Sequence, residues 1–375
     1  KPFRLRPQAM QLAPAFVTEP CGSEAFCVRF SPDDKFLAAS SAHGAICVYN
    51  VSTGLEAFRL AKTGCHRPIK QVCWRPEQEG ASLRTRGVLV SVSTDGLLRQ
   101  WQAATCRLLQ EFGGGVATHA AGTMVDVRGG EHAGALDDQL LCVDYSADGS
   151  RIVAGGLRNL QVYDEETKKQ VAVLQGGDSL TTRGHSSRVM AVRCHPSPSE
   201  TSIVISGGWD SSVQFWDLRV GHAVRAIYGP HLCGDALDIS MDGLTALTGS
   251  WRVQDPLELW DFRSGRRLEA LEWRAPGSLR EPACLLYAAR MLNNGAGNIG
   301  KLVAAGGSCD ATSGGGEAKL FDLGAEADPT TKVARGCLGT LVRFTCLSVH
   351  FATPQCGLVA FAGADGRVRV LSMAV

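Results

Sequence analysis

The sequence predicts an all-β fold built from repeated four-stranded antiparallel units, and three observations indicate it. Short runs in which apolar residues alternate recur along the 375-residue chain, with turn residues between them. The 43 glycines suit a fold with many tight turns. Asp95 precedes Trp101 by the same interval as Asp210 precedes Trp216. A repeated interval of this kind indicates homologous units.

Residues Gly184–Arg219 form the clearest unit. An alternating strand begins at Val189, a β-branched run covers Ile203–Ile205, and a third strand ends in Trp216-Asp217 after a tight turn at Trp209-Asp210-Ser211. With Gly-His at its start and Trp-Asp at its end, the stretch resembles the WD-repeat family. The resemblance implies that each unit is one blade of a β-propeller.

The chain holds seven such units, so we expect a single seven-bladed β-propeller of four-stranded antiparallel blades over residues 1–375. The last unit lacks a fourth strand, and the segment 8–17 is expected to supply it and close the ring, which removes free strand edges. The fourth strand of the sixth unit is expected near 332–338, and 113–137 is expected to be an inserted loop. The expected blades are 20–64, 65–112, 138–176, 184–230, 233–273, 283–339 and 343–375.

Composition narrows the functional classes. The net charge of +1 gives no footprint for nucleic acid or an anionic membrane, and the sequence has no apolar run long enough to span a bilayer. No secretory signal is recognisable, and the lack of an initiator Met suggests that a longer chain precedes residue 1. The 14 cysteines contain no C-x-x-C pair, so we expect buried thiols in a reducing cytoplasm, with no metal and no cofactor.

Two sets of residues have the types of a nucleophilic triad plus a tryptophan: His185, Ser206, Asp210 and Trp216, and then His66, Ser91, Asp95 and Trp101. A catalytic triad needs an exposed serine beside an oxyanion hole. The WD-repeat resemblance instead implies a buried hydrogen-bonded network inside each blade. Because the set occurs twice, the structural interpretation is favoured.

Gly295–Lys301 matches the first seven positions of a phosphate-binding loop. Leu302 replaces the Ser or Thr that would hold magnesium, and a strand follows where a phosphate-binding loop opens a helix. A glycine-rich hairpin turn is therefore the favoured interpretation. No enzyme is predicted.

Trp209 and Trp251 each follow the second strand of a blade. The resemblance places that turn on the top face of the propeller, where a large aromatic residue has no core role and can anchor a partner. Arg188 and Arg252 are expected to lie beside them. The long connections 113–137, 176–184, 274–282 and 308–317 are expected to emerge on the same face. The leading hypothesis is a non-enzymatic scaffold that binds other proteins, with no nucleic acid, membrane or small-molecule substrate.

Two alternatives remain. Arg219 and Arg263 stand two residues after Trp-Asp in adjacent blades, a pattern that resembles substrate receptors of cullin-RING ubiquitin ligases, in which this Arg meets the ligase adaptor on the bottom face. The second alternative is a structural subunit of a cytoskeletal or ciliary assembly, which rests on analogy alone.

Overall fold

The computed structural model describes residues 11–77, 86–113, 116–118, 124–126, 139–176, 182–273, 284–292, 302–309, 315–323 and 337–374. Apart from two single-turn 3₁₀ helices, Ala103–Thr105 and Pro198–Glu200, the regular elements in these ranges are strands. In chain order the strands are β1 (Gln11–Val17), β2 (Ala25–Phe30), β3 (Phe36–Ser41), β4 (Ala45–Asn50), β5 (Glu56–Ala61), β6 (Ile69–Trp74), β7 (Val88–Ser93), β8 (Leu97–Gln102), β9 (Arg107–Gly113), β10 (Val116–Thr118), β11 (Met124–Asp126), β12 (Cys142–Tyr145), β13 (Arg151–Gly155), β14 (Leu160–Asp164), β15 (Gln170–Leu174), β16 (Val189–Cys194), β17 (Ile203–Gly208), β18 (Ser212–Asp217), β19 (His222–Tyr228), β20 (Leu237–Ile239), β21 (Thr245–Gly249), β22 (Leu257–Asp261), β23 (Arg267–Leu271), β24 (Leu285–Met291), β25 (Leu302–Ser308), β26 (Gly316–Asp322), β27 (Cys337–Arg343), β28 (Cys346–Phe351), β29 (Leu358–Gly363) and β30 (Val368–Ala374).

These strands form seven four-stranded antiparallel sheets, which confirms the predicted seven-bladed β-propeller. Blades 1 and 2 contain β2–β5 and β6–β9, and blades 3 to 6 contain β12–β15, β16–β19, β20–β23 and β24–β27. Blade 7 contains β28–β30 and takes β1 as its fourth strand. In that pair Gln11 lies opposite Ala374 and Val17 lies opposite Arg369. The first and last strands thus close the ring within one sheet.

The antiparallel order divides the connections between two faces. Within each blade, the turns from first to second strand and from third to fourth strand emerge on one side, called here the lower face. The turns from second to third strand, and the connections to the next blade, emerge on the other side, called the upper face. The first strands of neighbouring blades pack against one another and surround the central channel.

Side chains on both faces of a blade are buried, because a neighbouring blade packs against each face. All six residues of β7, VLVSVS, are buried, because blades 1 and 3 cover the two faces of this strand. The outer strand β5 is mostly exposed and buries Leu60. The apolar core therefore lies between blades: one cluster joins Val153 of blade 3 to Val189 and Trp216 of blade 4.

The structure differs from the sequence expectations in two places. The segment 113–137, expected to be a loop, contains a short hairpin in which β10 pairs with β11. Three residues per strand are too few to give a recognisable period. The fourth strand of blade 6, expected near 332–338, is β27 at Cys337–Arg343, so it begins later than the sequence suggested.

Several expectations fall outside the described residues. These are the phosphate-loop-like stretch 295–301 and most of the connections 176–184, 274–282 and 308–317. Thirteen of the fourteen cysteines have described side chains; none of these thirteen is in a disulfide, and seven of them are buried. No helix in the part of the chain that the structure describes has the length and apolarity needed to cross a membrane.

Candidate functional site

The four predicted residues of blade 4 form one hydrogen-bonded chain. Trp216 Nε1 donates to Ser206 Oγ over 2.8 Å, and Ser206 Oγ lies 2.7 Å from His185 Nε2. His185 Nδ1 lies 2.8 Å from Asp210 Oδ2, which also accepts the Ser186 amide. Because an indole N–H can only donate and an ionised carboxylate can only accept, the network runs from Trp216 at one end to Asp210 at the other, with Ser206 and His185 between them.

The hydrogen-bonded network of blade 4 cannot act as a nucleophilic triad in the arrangement observed. Ser206 is fully buried beneath its own blade, so no substrate can reach its hydroxyl. Burial raises the pKa of Asp210, but the interactions with His185, Ser186 and Ser212 together outweigh it, so the pKa lies below the usual value for an aspartate. The network therefore ties the connection that precedes the blade to its second and third strands.

Blade 2 departs from the expected network at its histidine. Trp101 Nε1 donates to Ser91 Oγ over 2.9 Å, as in blade 4. His66, however, is exposed, and Asp95 instead accepts the Arg99 guanidinium at 2.5 Å and lies 3.7 Å from the thiol of Cys65. The assignment of His66 was wrong because Cys65, not His66, stands at the distance from its inner strand that His185 keeps from β16.

The central channel contains charged residues that the sequence reading missed. The penultimate residue of each inner strand lines the cavities at the lower mouth of the channel, one of which has a volume of about 540 Å³. We call these seven residues the central ring: Arg29, Cys73, Asp144, Arg193, Asp238, Arg290 and His350. The signal was an Arg, Asp or His in the same position of several apolar strands.

Asp235, which precedes β20, is the centre of this charge cluster. Its carboxylate lies 2.5 Å from Arg29 and 3.0 Å from Arg290, and it also pairs with Arg193. Gln71 adds a fourth donor at 2.9 Å. Asp235 thus connects residues of blades 1, 2, 4 and 6 to blade 5.

The same cluster shifts the pKa values of its members. Burial alone would raise the pKa of Asp235, but the charges of Arg193, Arg29 and Arg290 hold it well below its usual range. Burial lowers the pKa of His350 well below that of a free histidine, and Arg29 and Arg290 lower it further. His350 Nδ1 accepts the Phe30 amide at 3.3 Å, which requires the unprotonated nitrogen there.

On the upper face, the turns of blades 4 and 5 form one continuous surface. The Gly229 amide donates to Ser211 O over 2.8 Å, and the Trp251 amide donates to His231 O over 2.8 Å. Arg252 reaches across to Gly229 O at 3.1 Å. These bonds join the backbone segments that carry four exposed apolar side chains, which we call the upper platform: Trp209, Tyr228, Trp251 and Val253.

Trp209 and Trp251 are 42% and 41% exposed, so part of each side chain packs against the protein and part is accessible to a partner. The guanidinium of Arg188 lies 5.0 Å from the centre of a Trp209 ring, in a cation–π arrangement. The structure therefore brings Arg188 to Trp209 and places Arg252 beside the backbone of the same platform.

Arg219 and Arg263 lie in the turns from third to fourth strand of blades 4 and 5, which emerge on the lower face. The side chain of Arg219 is 71% exposed and lies 2.6 Å from Asp217. Arg263 is also exposed. The contact of Arg219 and Arg263 with a ligase adaptor stays a prediction. Within the described residues, no group of three or more His, Cys, Asp and Glu is placed to hold a metal ion.

A closed ring of seven blades, with a His–Ser–Asp–Trp network in its best-formed member, defines a propeller of the WD-repeat class. The comparisons agree: the family model "WD domain, G-beta repeat" matches residues 18–50 and 177–217. The fold is a seven-bladed β-propeller, and the two matched stretches are similar to WD repeats.

Several curated proteins are similar to this chain. THO complex subunit 6 of Homo sapiens is 26% identical over 261 residues, which cover 67% of this chain and 68% of that protein. Autophagy-related protein 16 of Arabidopsis thaliana is 31% identical over 119 residues, covering 32% of this chain and 21% of the relative. Small ribosomal subunit protein RACK1y of Oryza sativa subsp. japonica is 34% identical over 97 residues, covering 26% and 28%. The chain thus spans under a third of the length of the last two.

Proposed function

We propose that this chain is a non-enzymatic interaction scaffold, a subunit of a multiprotein complex that docks a protein partner on the upper platform. One observation carries the proposal. Five of the seven tryptophans are buried, and the remaining two, Trp209 and Trp251, are exposed on adjacent turns of one face. Aromatic residues that a fold leaves exposed together are frequent anchors of protein interfaces.

The relatives support the complex-subunit part of this proposal. THO complex subunit 6, the relative that covers two thirds of this chain, is by its name a subunit of a complex. RACK1y is by its name a protein of the small ribosomal subunit. None of the names given above describes an enzyme, and the buried Ser206 offers no nucleophile.

The test compares two double variants of the full chain, Trp209→Ala/Trp251→Ala and Arg219→Ala/Arg263→Ala, in quantitative affinity purification. Truncating interface anchors costs about 2 kcal/mol or more each, so the tryptophan variant should lose at least one partner by about tenfold or more. Thermal melts check that both variants fold.

The arginine variant is the control for the opposite face, and it should keep the same partners. A folded tryptophan variant that retains every partner contradicts the proposal. Loss of a ligase adaptor from the arginine variant alone would favour the ubiquitin-ligase alternative.

A further inference from the structure

Three arginines border the upper platform on the side of blades 3 and 4. Arg158 lies in the turn from second to third strand of blade 3, and Arg183 and Arg188 lie in the connection that enters blade 4. The Arg158 amide donates to Ser187 O over 3.2 Å, and Leu157 pairs with Arg188 in a β-bridge. We call Arg158, Arg183 and Arg188 the arginine edge.

The backbone of the arginine edge is held firmly by buried groups. Thr182, next to Arg183, is buried and its hydroxyl donates to Gln214 Oε1 over 2.8 Å. His185 is fixed by the blade 4 network. Arg183 and Arg158 themselves are exposed. The edge therefore presents its charges from a rigid support, which reduces the entropic cost of binding.

The positive charges of the arginine edge are not neutralised by carboxylates of the described residues. Among the described residues, no Asp or Glu forms an ion pair with any of its three arginines, whereas Arg219 and Arg267 elsewhere on the surface pair with Asp217 and Asp255. The carboxylate in the adjoining turn, Asp210, accepts hydrogen bonds from His185, Ser186 and Ser212 and is almost fully buried.

The arginine edge and the upper platform meet at Arg188, whose guanidinium stacks on Trp209. An extended segment that crosses the upper face would therefore meet aromatic surface over blades 4 and 5 and positive charge over blades 3 and 4. Charge complementarity selects the partner of such a surface.

We propose that the partner docks through an acidic peptide segment, with an apolar side chain on the upper platform and Asp or Glu side chains paired with the arginine edge. This inference rests on the proposed function and names the chemistry of its partner. Three arginines can pair with a few carboxylates in bidentate geometry. Nucleic acid fits less well, because three arginines are a small basic patch on a chain whose net charge is only +1, whereas nucleic-acid binding draws on many phosphate contacts.

The test selects a random peptide library against the full chain and measures the affinity of the recovered peptides by fluorescence anisotropy. Peptides rich in Asp and Glu should be recovered, and Arg158→Glu/Arg183→Glu should weaken their binding by about tenfold or more. The matched control, Arg263→Glu/Arg266→Glu, makes the same change in net charge with two exposed arginines of the lower face and should leave binding within about twofold.

Recovery of neutral or basic peptides would overturn the inference, as would equal losses in both arginine variants. A short single-stranded RNA that binds more tightly than the best peptide, and depends on the same two arginines, would overturn it in favour of nucleic acid. Trp209→Ala/Trp251→Ala separates the two proposals: if it abolishes peptide binding while Arg158→Glu/Arg183→Glu does not, docking on the platform stands and the acidic partner is wrong.

Discussion

Ser206 has the residue type and the neighbours of a catalytic serine, but its role is to stabilise the fold. It takes part in two hydrogen bonds at zero exposure, and each of its partners, His185 and Trp216, would be left with an unpaired buried polar atom without it. The cost of such an unpaired group is about 1–3 kcal/mol.

We therefore expect His185→Ala and Asp210→Ala each to lower the free energy of unfolding by about 1–3 kcal/mol. His66→Ala is the matched control, since His66 is exposed, and it should change stability by about 0.5 kcal/mol or less. Chemical denaturation measures all three. Equal effects at His66 and His185 would mean that the network contributes little.

His350 predicts a specific pH dependence. Its pKa in the folded protein lies well below the value of about 6.5 in the unfolded chain, so the unfolded state binds more protons in the window between these values. Burial is the largest cause of the lowered pKa, the charges of Arg29, Arg290 and Arg193 lower it further, and Asp235 acts in the opposite direction. The contribution of His350 to the free energy of unfolding is complete above pH 6.5 and is lost as the pH falls below that value.

In His350→Asn, the amide oxygen can accept the Phe30 amide hydrogen bond without titrating. The wild type should lose stability below pH 6.5 by up to about 1.4 kcal/mol per pH unit more than this variant does. Urea titrations between pH 7 and 5 test this, with His66→Asn as the control that keeps the wild-type slope.

At the scale of the elements, the inner strands are joined at the channel by a carboxylate that three guanidinium groups share. Removing one partner of a buried charge group costs about 3–5 kcal/mol, because the remaining charges lose their counter-ion. We expect Asp235→Asn to lower the free energy of unfolding by about this amount.

Asp217→Asn is the comparison for this prediction, since the side chain of its partner, Arg219, is mostly exposed. Such surface pairs contribute about 1 kcal/mol or less. Calorimetric melts should show a clearly larger loss of stability for Asp235→Asn than for Asp217→Asn. Similar losses at both positions would show that Asp235 does not hold the inner strands together.

The elements also show what a sequence can predict. Period-two runs and turn residues are local signals, and they were enough for seven blades and for closure by the first strand. The charge cluster around Asp235 was missed because Arg29 and Asp235 lie 206 residues apart in the sequence. His66 was assigned to the network by its residue type, whereas Cys65 keeps the spacing from the inner strand that the network requires. The succession of strands and turns could be predicted from the sequence, whereas the contacts between distant blades could not.

At the scale of the whole molecule, closure leaves a rigid ring with two different faces. The pairing of β1 with β30 covers the edge of β30, which would otherwise be free to pair with another chain. The turns on each face present the side chains that differ from blade to blade. The upper platform and the arginine edge place aromatic surface and unpaired charge together on the upper face of blades 3 to 5.

The central claim, that a protein partner contacts this upper face, is tested most directly by site-specific photo-crosslinking in the full chain. The photo-reactive residue p-benzoylphenylalanine is placed at Tyr228 of the upper platform, which is 70% exposed, or at Leu244 on the lower face, which is 62% exposed. We expect a crosslinked partner from position 228, at a yield that Trp209→Ala/Trp251→Ala lowers, and little crosslinking from position 244. A partner crosslinked only from position 244, or equally from both positions, would contradict it.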